Sequence, residues 1–257
     1  MKKIEVDILT HIDLLCTSNS IPYYLAGGTL IGACRHKGFI PWDDDIDIYI
    51  PRPYIKQFIS LMVEENIYRV FSISTKEDYT RDWVQIIDRR TMLIEKGIDI
   101  SDYGIFVDVF PVDGLPTNER LRKVYWKLII VLKNLVGISR SEYKVAEKLV
   151  FRIPKLILFP ILKKIGPRRF VIILDFFASL FNPYHSKYVA NMVAAYNEQE
   201  TVKRNVIESF IKMEFEGRLF NAPKEYDQYL TNVFGNYMEL PPVNDRVSRH
   251  QFEAYWR

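Results

Sequence analysis

Trp42-Asp43-Asp44-Asp45-Ile46-Asp47 sets four carboxylates within five positions and runs directly into the apolar Ile48-Tyr49-Ile50. Few folds can absorb such a block. Side chains alternate faces along a strand, so a strand beginning before Asp43 would aim Asp43, Asp45 and Asp47 to one side. Three carboxylates on one side repel each other unless a cation neutralises them. Mg²⁺ takes oxygen ligands and commonly bridges a few carboxylates to substrate phosphates. The block predicts a divalent-metal site for phosphate chemistry, with a solvated acidic turn as the plain alternative.

The preceding residues favour the metal site. Leu25-Ala26-Gly27-Gly28-Thr29-Leu30-Ile31-Gly32 puts paired glycines between a strand-like run, Tyr23 to Ala26, and a helix-like run. Such a turn exposes backbone N–H groups at a helix N-terminus, where a phosphate can sit. An EF-hand loop starting at Asp43 would need Gly sixth and Glu twelfth, but Ile48 and Tyr54 stand there. A glycosyltransferase Asp-X-Asp usually follows a complete nucleotide-binding βαβ half, and here the motif comes too early for one. That weakens the reading without removing it. A further carboxylate lies in Phe106-Val107-Asp108-Val109-Phe110. An Asp in so apolar a strand is costly to bury unless paired or metal-bound. The other option is a strand-end Asp bonded to the turn at Pro111 and Asp113-Gly114.

Beyond these motifs, the composition narrows the class. The chain has 257 residues, 48% of them hydrophobic, enough for a sizeable core in one large domain or two small ones. Cys16 and Cys34 are too few for a disulfide framework and point to a reducing compartment. Neither has zinc spacing, and with four His and no HExxH a zinc hydrolase is disfavoured. Met1-Lys2-Lys3 leads into acidic residues, which does not fit a signal peptide. No apolar run reaches the roughly eighteen residues of a membrane span.

The net charge of +3 conceals an asymmetry. Arg120 to Phe170 holds 14 Lys or Arg against Glu142 and Glu147, a local +12 that leaves −9 for the remainder. Apolar runs such as Leu128–Leu132 and Val171–Leu174 are interleaved with this charge. A basic amphipathic segment of this kind reads as a surface for anionic membrane; a solvated basic helical face is the alternative. No recognition motif for nucleic acid accompanies it.

Periodicity predicts an amphipathic helix over 3–19, from Ile4, Ile8, Ile12 and Leu15. Strand, glycine turn, a short helix Thr29 to Arg35 and a strand Ile46 to Ile50 follow. Arg52-Pro53 opens another helix. Further strands are expected near Tyr68–Ile73, Trp83–Asp88 and Phe106–Phe110. A boundary is expected near Leu115-Pro116-Thr117-Asn118, where Thr117 or Asn118 could cap a helix. The fold class is therefore α+β: a catalytic core over 1–116, then a mainly helical region over 117–257 with its basic segment at 120–180.

These residues resemble the LicD family. The similarity lies in Tyr24 to Ala33, in Arg35-His36-Lys37-Gly38-Phe39-Ile40-Pro41-Trp42 through Asp47, and in Val107 to Pro111 with Asp113-Gly114. It continues through Phe215-Glu216-Gly217 to Pro223, Tyr226 to Leu230, Phe234-Gly235-Asn236-Tyr237 and Leu240-Pro241-Pro242. Residues of about 120–200 match no known motif. Many relatives carry Asp where Asn236 stands, and Asn brings no charge. The resemblance implies a nucleotidyltransferase-like mixed sheet and transfer of a phosphorylated alcohol from a CDP-alcohol, with CDP-choline the founding donor. The acceptor would be a sugar hydroxyl of a cell-surface glycan (lipopolysaccharide, teichoic acid or capsular polysaccharide), in finished or lipid-linked form. Mg²⁺ or Mn²⁺ would be held by Asp43, Asp45, Asp47 and Asp108, with Asp108 the candidate base. Gly27, Gly28 and Thr29 would approach the donor phosphate.

Other candidate substrate contacts come from residue chemistry alone. Arg35, His36 and Lys37 could pair with phosphate, Trp42 could stack on a base or choline, and Arg246 and His250 could close over the donor. Each has a plain alternative in packing or solvation. Two other classes remain: a nucleotidyltransferase that moves NMP from NTP to a small hydroxyl compound, and a non-catalytic binding protein. The expected location is cytoplasmic and peripheral at the inner face of the membrane. If the basic segment docks there, the protein will co-float with anionic liposomes and be released by salt; flotation that is absent or indifferent to salt refutes that docking.

Overall fold

The computed structural model describes residues 1–95, 102–141, 159–248 and 252–257. The N-terminal periodicity forms helix α1 (Lys2–Ser18), which buries Ile8, Leu9, Ile12 and Cys16; Ile4 and Leu15 are only partly buried against the same core. Strand β1 (Tyr24–Leu25) leads at once into α2 (Gly27–His36), then β2 (Asp47–Pro51) and α3 (Arg52–Val63), with Pro53 in its first turn. Strands β3 (Tyr68–Phe71), β4 (Val84–Asp88), β5 (Thr91–Glu95) and β6 (Phe106–Leu115) follow. Helix α4 (Glu119–Arg140) is capped by Asn118, whose side chain accepts from Leu121 N. Helix α5 spans Pro167–Ala178.

The main sheet runs β1-β2-β6-β4-β3, and β6 extends it to β7 (Tyr188–Ala190) and β8 (Val202–Lys203). Among the described residues, only β2 and β6 pair in parallel. Flanked by strands on both sides, β2 and β6 are nearly continuous apolar runs, with Ile48, Ile50, Val107 and Val109 inaccessible to solvent. Asp47 and Asp108 are therefore exceptions in the sheet's centre, and the register sets them side by side. β9 (Phe210–Phe215) and β10 (Arg218–Pro223) form a hairpin whose two-residue loop, Glu216-Gly217, has positive φ at both positions, as its twist requires. Helix α6 (Tyr226–Phe234) follows, and β11 (Phe252–Trp256) pairs with β5.

The mixed sheet with packed helices is the α+β architecture expected. Three details differ. The strand carrying the acidic block starts at Asp47, so Asp43 and Asp45 lie in the preceding turn, not on one strand face. Pro41 and the Asp43 N–H to Ile40 carbonyl bond hold that turn, and crowding charge resists an extended start. Helix α2 begins at Gly27, so both glycines belong to its first turn. Beyond residue 117, the helices are interleaved with β7 to β11; β7 and β8 are too short to leave a period-two signal, whereas the alternation Ile211-Lys212-Met213-Glu214-Phe215 of β9 was legible and was passed over. No helix among the described residues is long and apolar enough to cross a membrane.

A second apolar cluster, built on Trp126, Ile129, Val171 and Leu174, packs α4 against α5. It is tied to the sheet by charge. Arg52, opening α3, donates to both oxygens of the fully buried Asp113 on β6, at 2.6 and 2.7 Å, and to Asp175 of α5. Removing the guanidinium would leave Asp113 buried and uncompensated. Arg52→Met is expected to cost about 3–5 kcal/mol, read as a lower urea midpoint at unchanged slope; a loss within about 0.5 kcal/mol, the usual surface value, would contradict this.

Candidate active site

The residues of the acidic block converge because three local devices hold them. Thr29 Oγ1, inside α2, accepts from Asp47 N at 2.8 Å. Ala26 N donates to the Asp47 carbonyl, and Asp108 N to the Ile46 carbonyl. The hairpin β9–β10 clips the loop from the other side: Glu216 N binds the Lys37 carbonyl, and Glu216 Oε1 accepts from Phe39 N at 3.1 Å. The turn 40–46 is thus pinned between the N-terminus of α2 and the start of β2.

At that helix terminus any side chain would crowd the aspartates. A β-carbon on Gly28 would lie 2.5 Å from Asp43 Oδ2, and one on Gly27, at φ +50°, 3.0 Å from Asp47 Oδ2. The glycines thus make room for the aspartates themselves. Asp43, Asp44 and Asp45 each offer a carboxylate oxygen within 4.8 Å of the others. Asp47 and Asp108 are register partners on β2 and β6, and Gln85 donates to Asp108 at 2.8 Å. Burial foremost, then the neighbouring Asp45 and Asp44, pushes Asp43 up to about 7. Asp47 is raised well above the usual carboxylate range by burial, then by Asp45, Asp108 and Asp43. Glu5 of α1, buried behind the cluster, is pushed up to about 8 by burial and then by Asp45.

The crowding that raises Asp43 and Asp47 is of a kind that a hard divalent cation would relieve. Among the described residues Asp43, Asp44 and Asp45 are the group whose oxygens come close enough to share a cation such as Mg²⁺ or Mn²⁺; Asp44 was not in the set expected from spacing, and Asp47 and Asp108 stand beside the group rather than in it.

The cluster opens on a cavity of about 1260 Å³. Gly27, Gly28, Arg35, Trp42, Asp43, Asp45 and Asp47 line it. Several candidates lie elsewhere. Thr29 is buried and bonded to the backbone. Asp108 is buried beside Asp47, away from the lining. His36 accepts from Arg35 Nε, and Lys37 pairs with Glu214. Arg35 also donates to the Tyr237 and Glu239 carbonyls, holding the C-terminal loop over the cavity. Arg246 stands 5.6 Å over the Trp42 ring and donates to the Pro241 carbonyl. His250 lies outside the described residues. Asn236 lines the wall and donates to Glu239.

Further lining comes from residues that sequence reasoning did not propose as contacts: Tyr49, Trp83, Phe110, Asn191, Tyr196, Glu200 and Phe234. Glu200, in a 3₁₀ turn (Asn197–Glu200), accepts from the Tyr49 hydroxyl at 3.2 Å. Burial raises it to about 7, opposed by the hydrogen bonds from Tyr49 and Tyr229. The available signals were Tyr49, two residues after Asp47 and hence on the same strand face, and the places of Phe110 and Phe234 in the segments that carry the family resemblance.

Comparison with known proteins accords with this geometry. The family model described as LicD/FKTN/FKRP, nucleotidyltransferase domain, matches residues 20–160. The lipopolysaccharide cholinephosphotransferase LicD of Haemophilus influenzae is 31% identical over 260 residues, covering 97% of this chain and 94% of that protein. An uncharacterized protein of Rickettsia prowazekii is 58% identical over 36 residues, 14% of each chain. The class is therefore that of a phosphotransferase enzyme. The chain belongs to the LicD family.

The raised carboxylates set a pH dependence. Between their ordinary values and about 7 for Asp43 and Glu200, or about 8 for Glu5, the folded chain keeps protons that the unfolded chain has released. Stability must therefore fall as pH rises through that window. With chelator present, the melting temperature is expected to drop between about pH 5 and pH 8. Saturating Mg²⁺ should recover about 2–3 kcal/mol at a hundredfold excess over its Kd, and Asp45→Asn should abolish that recovery. Thermal denaturation across pH, with and without Mg²⁺, checks both.

Proposed function

We propose that this enzyme transfers phosphocholine from CDP-choline to a sugar hydroxyl of lipopolysaccharide or its lipid-linked precursor, with Mg²⁺ or Mn²⁺ as cofactor. The observation that carries the reading is the near full-length similarity to a lipopolysaccharide cholinephosphotransferase. The acidic cluster on a roomy cavity supplies the matching chemistry.

A divalent cation, when bound, would neutralise the donor diphosphate and the charge growing on departing CMP. Asp43, Asp44 and Asp45 would hold it, with Asp47 beside them. Asp108 would brace Asp47 from the adjacent strand, a positioning role that its burial and its bond from Gln85 favour over that of a base. The acceptor hydroxyl attacks the choline-bearing phosphorus in line. The new O–P bond forms as the bond to CMP breaks, the electron pair leaves on CMP, and the hydroxyl proton passes to a carboxylate of the cavity wall. Closure by the loop that Arg35 holds would limit water as a rival acceptor.

Peripheral attachment at the inner face of the membrane is part of the proposal. Leu121, Val124, Leu128 and Val131 are exposed along one side of α4, at helical spacing, among basic residues. Ile172, Ile173 and Phe176 are exposed on α5. That pattern suits an anionic surface near a lipid-linked acceptor.

The test is release of CMP or pyrophosphate from CDP-choline, CDP-glycerol, CDP-ribitol and NTPs, with Mg²⁺ and a lipopolysaccharide acceptor. CMP from CDP-choline is expected, falling at least about a hundredfold in Asp47→Asn. Pyrophosphate from an NTP would instead assign the protein to the nucleotidyltransferases.

A further inference from the structure

The parallel pairing of β2 with β6 lays two rows across one side of the sheet, of which Asp47, Tyr49 and Phe110 reach the cavity. Asp47 pairs with Asp108, and two residues on Tyr49 pairs with Phe110. Side chains two apart share a face, so an acidic row is followed by an aromatic one about 6.6 Å further along. Tyr49 and Phe110 meet edge to face with ring centroids 6.2 Å apart, and Trp83 packs on Phe110 at 5.2 Å. Glu200 stands against the Tyr49 hydroxyl, and Tyr196 and Phe234, themselves in edge contact at 4.7 Å, complete this wall.

The cavity's charge is one-sided. Its lining carries Asp43, Asp45, Asp47, Glu200, Glu239 and Asp245 against one basic side chain, Arg35, already engaged with two carbonyls. The aspartates suit a metal ion, whereas Glu200 sits at the aromatic end, held by hydrogen bonds from the Tyr49 and Tyr229 hydroxyls. Aromatic faces beside a buried carboxylate recognise a cation too bulky and too weakly hydrated to need hydrogen-bond acceptors. Two carbons separate ester oxygen from nitrogen in phosphocholine, so a phosphate at the acidic row puts its trimethylammonium at the next one.

We propose that Tyr49, Phe110, Tyr196, Phe234 and Glu200 form a quaternary-ammonium subsite that selects a choline headgroup over uncharged polyols, with Trp83, whose ring already carries the Arg81 guanidinium at 5.3 Å, backing Phe110. This rests on the phosphocholine-transfer reading. The test is calorimetric: Kd values of CDP-choline, CDP-glycerol and CMP for the full chain with Mg²⁺, in wild type, Glu200→Gln and Tyr196→Leu. CDP-choline should bind about tenfold tighter than CDP-glycerol. Either variant should erase most of that margin and leave CMP affinity unchanged. Tyr196 is half-exposed, so its replacement keeps the test decisive if Glu200→Gln fails to fold. Equal affinity for the two donors overturns the subsite, as does parallel weakening of CDP-choline and CMP in both variants. CMP release separates the two claims. A protein that turns over CDP-choline yet binds both donors equally keeps the proposed reaction and loses the subsite. Turnover confined to CDP-glycerol removes both.

Discussion

Repulsion among carboxylates is the constraint around which this fold is arranged. Asp43, Asp44 and Asp45 share one turn, Asp47 opens the adjoining strand, and Asp108 lies beside it on β6. Left alone, such groups would separate or stay protonated. Here the chain forbids separation. The turn is fastened to α2 and to the β9–β10 hairpin, and the β2–β6 ladder fixes Asp47 against Asp108. Two glycines remove the β-carbons that would push Asp43 and Asp47 aside. The crowding is expressed as raised proton affinity at Asp43 and Asp47, which a divalent cation would relieve.

The same arrangement explains why the C-terminal half belongs to the site. The hairpin grips the loop ahead of the aspartates, Arg35 ties down the segment around Tyr237 and Glu239, and Glu200 arrives on a 3₁₀ turn anchored to Tyr49 and Tyr229. Arg52 binds Asp113 of β6 and Asp175 of α5 together, so the helical layer is braced against the strand that carries Asp108. With a divalent cation at its acidic end, a cavity of this size would suit a ligand that is anionic at that point and cationic at the aromatic end.

The acidic block, the paired glycines and the lone Asp108 in an apolar strand each announced themselves by violating a rule. Charge was crowded, glycine stood where a helix should begin, and a carboxylate sat in a buried run. Their meeting at one site was also foreseeable in kind, because few devices other than a cation reconcile them. Only the tertiary structure decided how they meet. Whether Asp43 sits on the strand or in the turn depends on which residue first finds a ladder partner, and Asp47 is that residue. Asp44 enters the cluster, and Thr29, Lys37 and Asp108 leave the cavity lining, for reasons of three-dimensional fastening that spacing does not encode. The aromatic wall was least visible of all. With 16 Tyr, 16 Phe and 4 Trp in the chain, no single ring stands out. Register alone puts Phe110 beside Tyr49, and a long-range hydrogen bond brings Glu200 to them. Local charge and conformational preference are written into consecutive residues, whereas such pairings exist only after strands distant in sequence have closed into one sheet.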